Sequence, residues 1–279
     1  MRTKLLLSLL TTALLVSVVL NAQTNARPAS AMDQELQAIV QGIQNKLKAG
    51  KNTEADLAEN LVAFDALRAK HAGEKTDAVA QIVYMEAILY QQVLDNPVKA
   101  QALIVKLKTD YPDTKLGQKA DQMLQMMEKQ AEAKKIQATL KAGATFPDFS
   151  EKALNGQPLS VGALHGKVVL VDFWATWCGP CINELPNVLD AYKKYHAKGF
   201  EIVGISLDQD QGTLEGFVDA KGMSWQQYFD GAGWQNKLVK RYGVTSIPAT
   251  YLIGPDGKIV AKDLRGPALD EQLAKLLGP

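Results

Sequence analysis

Only two cysteines occur in 279 residues, and they stand three apart as Cys178-Gly179-Pro180-Cys181. Thiols at that spacing can close on each other, exchange with another disulfide, or supply half of a zinc site. A disulfide between them closes so short a loop that it constrains little of the unfolded chain, which argues against a structural staple. Structural zinc takes four Cys or His ligands, and the three histidines, His71, His165 and His196, lack the spacing to complete the set. Copper held by the pair with His165 or His196 is the remaining metal alternative. Redox exchange fits better: it calls for no metal and no dissociable cofactor, the Cys178–Cys181 disulfide being the working group.

Reactivity depends on where the pair sits. Residues 167–173 are a continuous, largely β-branched apolar run suited to a strand buried on both faces, and residues 183–198 read as a helix. Cys178 therefore falls at a strand-to-helix junction, where unpaired N–H groups and the helix dipole favour the thiolate over a thiol of ordinary pKa about 8.5. Cys178 is the expected exposed nucleophile. Cys181, one turn on and facing inward, is the expected resolving thiol. Two acids could take its proton: Asp172, flanked by Val171 and Phe173 on the buried strand, and Glu184, three residues after Cys181 on the same helix face. An acid buried without a partner has a raised pKa and can act as a base near neutrality, and Asp172 is expected to be the more desolvated. Trp177, beside the nucleophile, offers a flat recognition surface.

Around the pair, strands and helices alternate. Residues 200–206 form a second buried strand, 214–221 and 234–242 read as helices, 249–253 and 258–261 as a hairpin turning at Pro255-Asp256-Gly257, and 269–277 as a closing helix. The pattern predicts an α/β fold with a mixed sheet covered by helices on both faces. Upstream, residues 32–141 are helical throughout. Leu36, Ile39, Val40, Ile43 and Leu47 keep the 3.6-residue period, as do Leu57, Leu61, Phe64 and Leu67. Thr53, Thr76 and Asn96 stand as N-caps with Pro97 at a first helical position, giving about five helices in an all-α bundle. Residues 76–124 faintly match a tetratricopeptide unit, an alternative packing of the same stripes. The seam falls at Lys141-Ala142-Gly143-Ala144.

At the amino terminus, Arg2 and Lys4 precede an apolar run over residues 5–20 and then Asn21, Ala22 and Gln23. This is the layout of a secretory signal peptide over residues 1–22, followed by a linker, 23–31, a helical domain, 32–141, and the α/β domain, 142–279. An uncleaved signal would be the protein's only membrane attachment. Cleavage removes two positive charges and leaves a net of −1. Without a basic stripe, nucleic acid is excluded as a partner. With 47% apolar and 22% charged residues, disorder is excluded as well.

Residues from about 146 to 277 resemble the TlpA/ResA-type members of the thioredoxin superfamily. The resemblance is carried by Phe173-Trp174-Ala175-Thr176-Trp177-Cys178-Gly179-Pro180-Cys181, by Glu184-Leu185-Pro186, by Val244-Thr245-Ser246-Ile247-Pro248, and by the lead-in from Asn155-Gly156 to His165-Gly166-Lys167. It implies a thioredoxin-like fold with a small hairpin ahead of it. It also implies a cis peptide at Pro248 lying against the cysteine pair, where the neighbouring backbone receives an extended substrate, and an Ile247 side chain that limits solvation of the sulfurs. Asp172 matches the buried Asp of thioredoxins and Glu184 the active-site Glu of the ResA group, which leaves their division of labour open. The implied activity is that of a periplasmic, or otherwise extracytoplasmic, protein disulfide reductase acting on disulfide-containing client proteins. Its electrons would come from a membrane thiol-reducing relay, and cytochrome c maturation is the family's commonest client route. A reading of another class is a binding or scaffold protein whose helical domain captures a partner, with the thioredoxin domain accessory.

Overall fold

The computed structural model describes residues 30–279. The predicted signal, 1–22, lies outside the described residues, as does the linker up to residue 29. Among the described residues, no helix is long and apolar enough to cross a membrane. The chain forms two compact units that divide between Lys129 and Gln130.

The first unit contains α1 (Ala31–Lys48), α2 (Ala58–Lys70), α3 (Asp77–Gln92), α4 (Pro97–Asp110), the one-turn α5 (Lys115–Gln118) and the beginning of α6 (Ala120–Thr139). Side chains start these helices where the sequence places caps. Thr76 accepts from Val79 N, and Asn96 accepts from Lys99 N with Pro97 opening the helix. A capping box between Ser30 and Asp33 starts α1. Thr53 behaves otherwise. It bonds reciprocally with Asp56 and closes a separate turn, so that α2 begins later, at Ala58, with Leu57 as an N-cap that makes no side-chain bond. α3 is apolar nearly all round because it serves two cores. Ile82, Met85 and Leu89 pack with Ile43 and Phe64, whereas Val79, Val83 and Ala87 pack with Ile104 and Leu107. Met123 and Met127 pack against the second of these, filling it with flexible side chains, and Met126 is exposed.

In the second unit, a five-stranded sheet is built around β3 (Val168–Trp174). A two-stranded hairpin, β1 (Glu151–Lys152) with β2 (Pro158–Leu159), precedes it. β4 (Phe200–Ser206) and β5 (Gln226–Tyr228) extend one side in parallel, and β6 (Ala249–Ile253) and β7 (Ile259–Lys262) extend the other antiparallel, in the order β5-β4-β3-β6-β7. α7 (Gly179–Tyr195) follows β3, α8 (Gln211–Lys221) follows β4, and α10 (Pro267–Leu277) closes the chain. This is the thioredoxin-like mixed sheet with helices. Residues 234–242 are not one helix. A 3-10 turn (Gly233–Gln235) and the short α9 (Lys237–Arg241) are split by buried Asn236, whose Oδ1 accepts from Leu238 N and Val239 N. Its Nδ2 donates to Ser206 O at 3.2 Å, so a tertiary bond overrides the local helical pattern.

The end of α6 belongs to this second unit. Gln137 Nε2 donates to Tyr242 O and to Tyr251 Oη, each at 2.6 Å, and Leu140 joins the core. The division between units thus falls ahead of the Lys141–Ala144 seam. Within the first unit, Gly117 lies so close to Tyr111 that a Cβ would collide with the Tyr111 carbonyl oxygen, a backbone atom with little room to yield. Gly117→Ala is expected to destabilise the helical unit by about 1–3 kcal/mol, read as a lowered thermal midpoint. An unchanged midpoint would show that the turn between residues 111 and 117 relaxes freely.

Candidate active site

β3 delivers the chain through Ala175, Thr176 and Trp177 to Cys178, which is the N-cap of α7. Buried Asp208 holds this loop from the end of β4. It accepts from Thr176 Oγ1 at 2.6 Å, Thr176 N at 3.1 Å and Ser206 Oγ at 2.8 Å. Nothing in its local sequence distinguishes Asp208 from an ordinary acid after a strand, so only the fold reveals its role. Cys178 and Cys181 are joined in a disulfide with their Cα atoms 5.2 Å apart. The Cys181 N–H donates to Cys178 Sγ at 3.2 Å.

The expected contrast in exposure between the two cysteines is absent. Cys178 is 5% exposed and Cys181 6%, because in the disulfide both sulfurs share one sheltered position beneath exposed neighbours. What separates them is the helix terminus, whose free N–H groups favour negative charge on the first sulfur once the bond is reduced. Trp177 is 55% exposed, and its ring lies 6.5 Å from that of Trp234, itself 44% exposed. The local sequence around Trp234 carries no sign of this pairing, which the fold alone creates.

Beneath α7 is a cavity of about 10 Å³, the size of one water site, lined by Asp172, Cys181, Glu184, Pro248, Thr250 and Arg265 among others. Both acids therefore meet the same space as the second cysteine. Burial pushes the Asp172 carboxyl up to about 7; the Arg265 guanidinium opposes this and Glu184 adds to it. Glu184 is engaged on both oxygens, accepting from Gly266 N at 2.6 Å and from Asn187 Nδ2 at 3.2 Å. The Ile247–Pro248 peptide is cis. Ile247 packs against the cluster that contains both cysteines, and Pro248 O accepts from Arg265 Nη2 at 2.7 Å. Among the described residues, no three His, Cys, Asp or Glu side chains gather as a metal site.

The AhpC/TSA family matches residues 142–262, a stretch that holds the disulfide, both acids and the cis proline. The thiol-disulfide oxidoreductase ResA of Bacillus thuringiensis subsp. konkukian is 32% identical over 138 residues, which are 50% of this chain and 78% of that protein. ResA of Bacillus anthracis is 34% identical over 134 residues, 48% of this chain and 75% of its own length. This chain belongs to the ResA family of thiol-disulfide oxidoreductases. The solved thioredoxin domain of a thiol-disulfide oxidoreductase from Bacteroides vulgatus is 32% identical, covering 50% of this chain and 99% of that domain with a TM-score of 0.46. Arg265 lies beyond the family-matched stretch.

In a ResA-type enzyme that cycles between disulfide and dithiol, a desolvated acid lining the same cavity as the second cysteine carries a stability cost that depends on pH. The Asp172 carboxyl ionises near 3.8 as a free side chain and near 7 in the fold, so the native state binds the proton more tightly than the unfolded chain. Its contribution is most favourable below pH about 4 and is lost as pH rises through about 7. Asp172→Asn is therefore expected to raise stability at pH 8 by about 1–4 kcal/mol and by much less at pH 5. Urea unfolding of the oxidised protein at both values checks this, and an equal effect at the two would refute it.

Proposed function

We propose that this protein is exported and reduces disulfides in client proteins outside the cytoplasm, re-reduced by a membrane thiol relay. The observation that carries the chemistry is the placement of Cys178 at the N-cap of α7, with Cys181 one turn on and facing a cavity shared with Asp172. In the dithiol form, the Cys178 thiolate attacks a client disulfide, forming one mixed disulfide and releasing one client thiolate. Cys181 gives its proton to a base, attacks Cys178 Sγ and expels the second client thiolate. Two electrons pass to the client, and the internal disulfide returns. Trp177, Ile247 and Pro248 frame the opening that receives the client chain.

Asp172 is the principal base in this reading. Its carboxyl is poised near 7, whereas both oxygens of Glu184 already accept hydrogen bonds. Export rests on the charged and apolar pattern of residues 1–22.

Cys178→Ser is expected to abolish insulin reduction, and Cys181→Ser to accumulate a mixed disulfide through Cys178. Alkylation of the reduced protein at mild pH labelling Cys181 first would reverse the two roles. Asp172→Asn is expected to slow release of the mixed disulfide at pH 7 by roughly 10²–10⁴-fold, and by more than Glu184→Gln does. Pre-steady-state release rates from pH 5 to 9 decide between the acids, since a slower Glu184→Gln would transfer the role.

A further inference from the structure

Across the central strand pair, Asp172 stands directly opposite Thr250, so their side chains emerge side by side on the face covered by α7. Thr250 Oγ1 accepts from Arg265 Nη1 at 2.9 Å. The same guanidinium donates to Leu264 O at 2.7 Å and, through Nη2, to the carbonyl of the cis proline at 2.7 Å. Three acceptors on two segments hold the planar fork at one wall of the cavity that Asp172, Glu184 and Cys181 line. The next residue, Gly266, gives its N–H to Glu184. One short segment thereby touches the client-receiving loop and reaches both acids.

We propose that Arg265 is a positioning residue of the exchange reaction, fixing the cis-proline loop and keeping a positive charge beside Asp172 so that this acid is ionised when Cys181 must lose its proton. This rests on Asp172 as the base. Few charged groups face Asp172. Glu184 and Cys181 line its cavity from α7, and Arg265 approaches from the segment after β7, with Asp263 4.0 Å from the guanidinium. β6 contributes neutral Thr250, β4 contributes Gly204 in register, and Met223 and Leu269 are apolar. Arg265 is thus the cation that opposes the effect of burial.

The two tasks separate by substitution, because lysine keeps the charge but not the fork. Release of the mixed disulfide is measured from pH 5 to 9, and the Asp172 carboxyl is titrated by carbon NMR, in the wild type, Arg265→Gln and Arg265→Lys. Arg265→Gln is expected to raise both midpoints by about one pH unit, a tenfold change in the proton equilibrium. Arg265→Lys is expected to leave the midpoints near wild type while raising KM for a disulfide peptide. Thr250→Val, which removes the acceptor that holds Nη1 opposite Asp172, is expected to shift the midpoints in the same direction as Arg265→Gln. It keeps the proposal refutable should Arg265→Gln fail to fold. Unmoved midpoints with a rate loss uniform across pH would overturn the proposal and leave Arg265 a structural residue. If Asp172→Asn kept the wild-type pH profile, the base assignment would fail, while the NMR titration would still test Arg265.

Discussion

β3 is paired along both edges, in parallel to β4 and antiparallel to β6, and this double pairing sets the geometry of everything around the disulfide. Successive residues of a strand face opposite sides. Leu170, Asp172 and Trp174 accordingly line the cavity beneath α7, while Phe173 packs on the other side, its ring 5.9 Å from Tyr242 and 6.2 Å from Tyr251. A slip of one residue would turn Asp172 into that aromatic layer and bring an apolar side chain under the second cysteine. The aromatic packing on one face therefore fixes the acid on the other. The same strand then ends at the loop that places Cys178 at the first turn of α7.

Two aspartates flank this arrangement in different environments, Asp208 buried and Asp172 half-buried against the cavity beneath α7. Asp208 is surrounded by donors from Thr176 and Ser206. These bonds tie the loop before Cys178 to the end of β4 and make Asp208 its anchor. Asp172 instead faces the small cavity beneath α7, where desolvation is the largest influence and raises its proton affinity. One acid holds the loop in place, and the other is held ready to exchange a proton. The difference lies in the number of donors each finds, not in the residue type.

The helical unit follows a simpler physics. α3 is buried on two sides and joins two separate hydrophobic clusters, which is why its sequence lacks a clear polar face. Its apolar periods and the caps at Thr76 and Asn96 were readable from local pattern alone. The local pattern points to Thr53 as the cap of α2, but a hydroxyl followed three residues later by an acid closes either a helix or an isolated turn, and here it closes the turn. The choice between them depends on what the following residues pack against.

The sequence by itself determined the strand-to-helix placement of the cysteine pair, the strands of the β6–β7 hairpin, the helical nature of the upstream region and, through resemblance to a known family, the cis proline. These are properties of short segments, in which apolar period, turn residues and helix caps act over a few neighbours. Only the tertiary structure decided that Asp172 would face Thr250 and Arg265, that Asp208 would anchor Thr176, and that Trp234 would stand beside Trp177. It also decided that Asn236 would interrupt a helix to reach Ser206, and that both sulfurs would be equally sheltered. Each of these joins residues far apart in the chain through strand register and sheet order. Register and order follow from burying the apolar surface of the whole domain at once, and no local stretch contains that information.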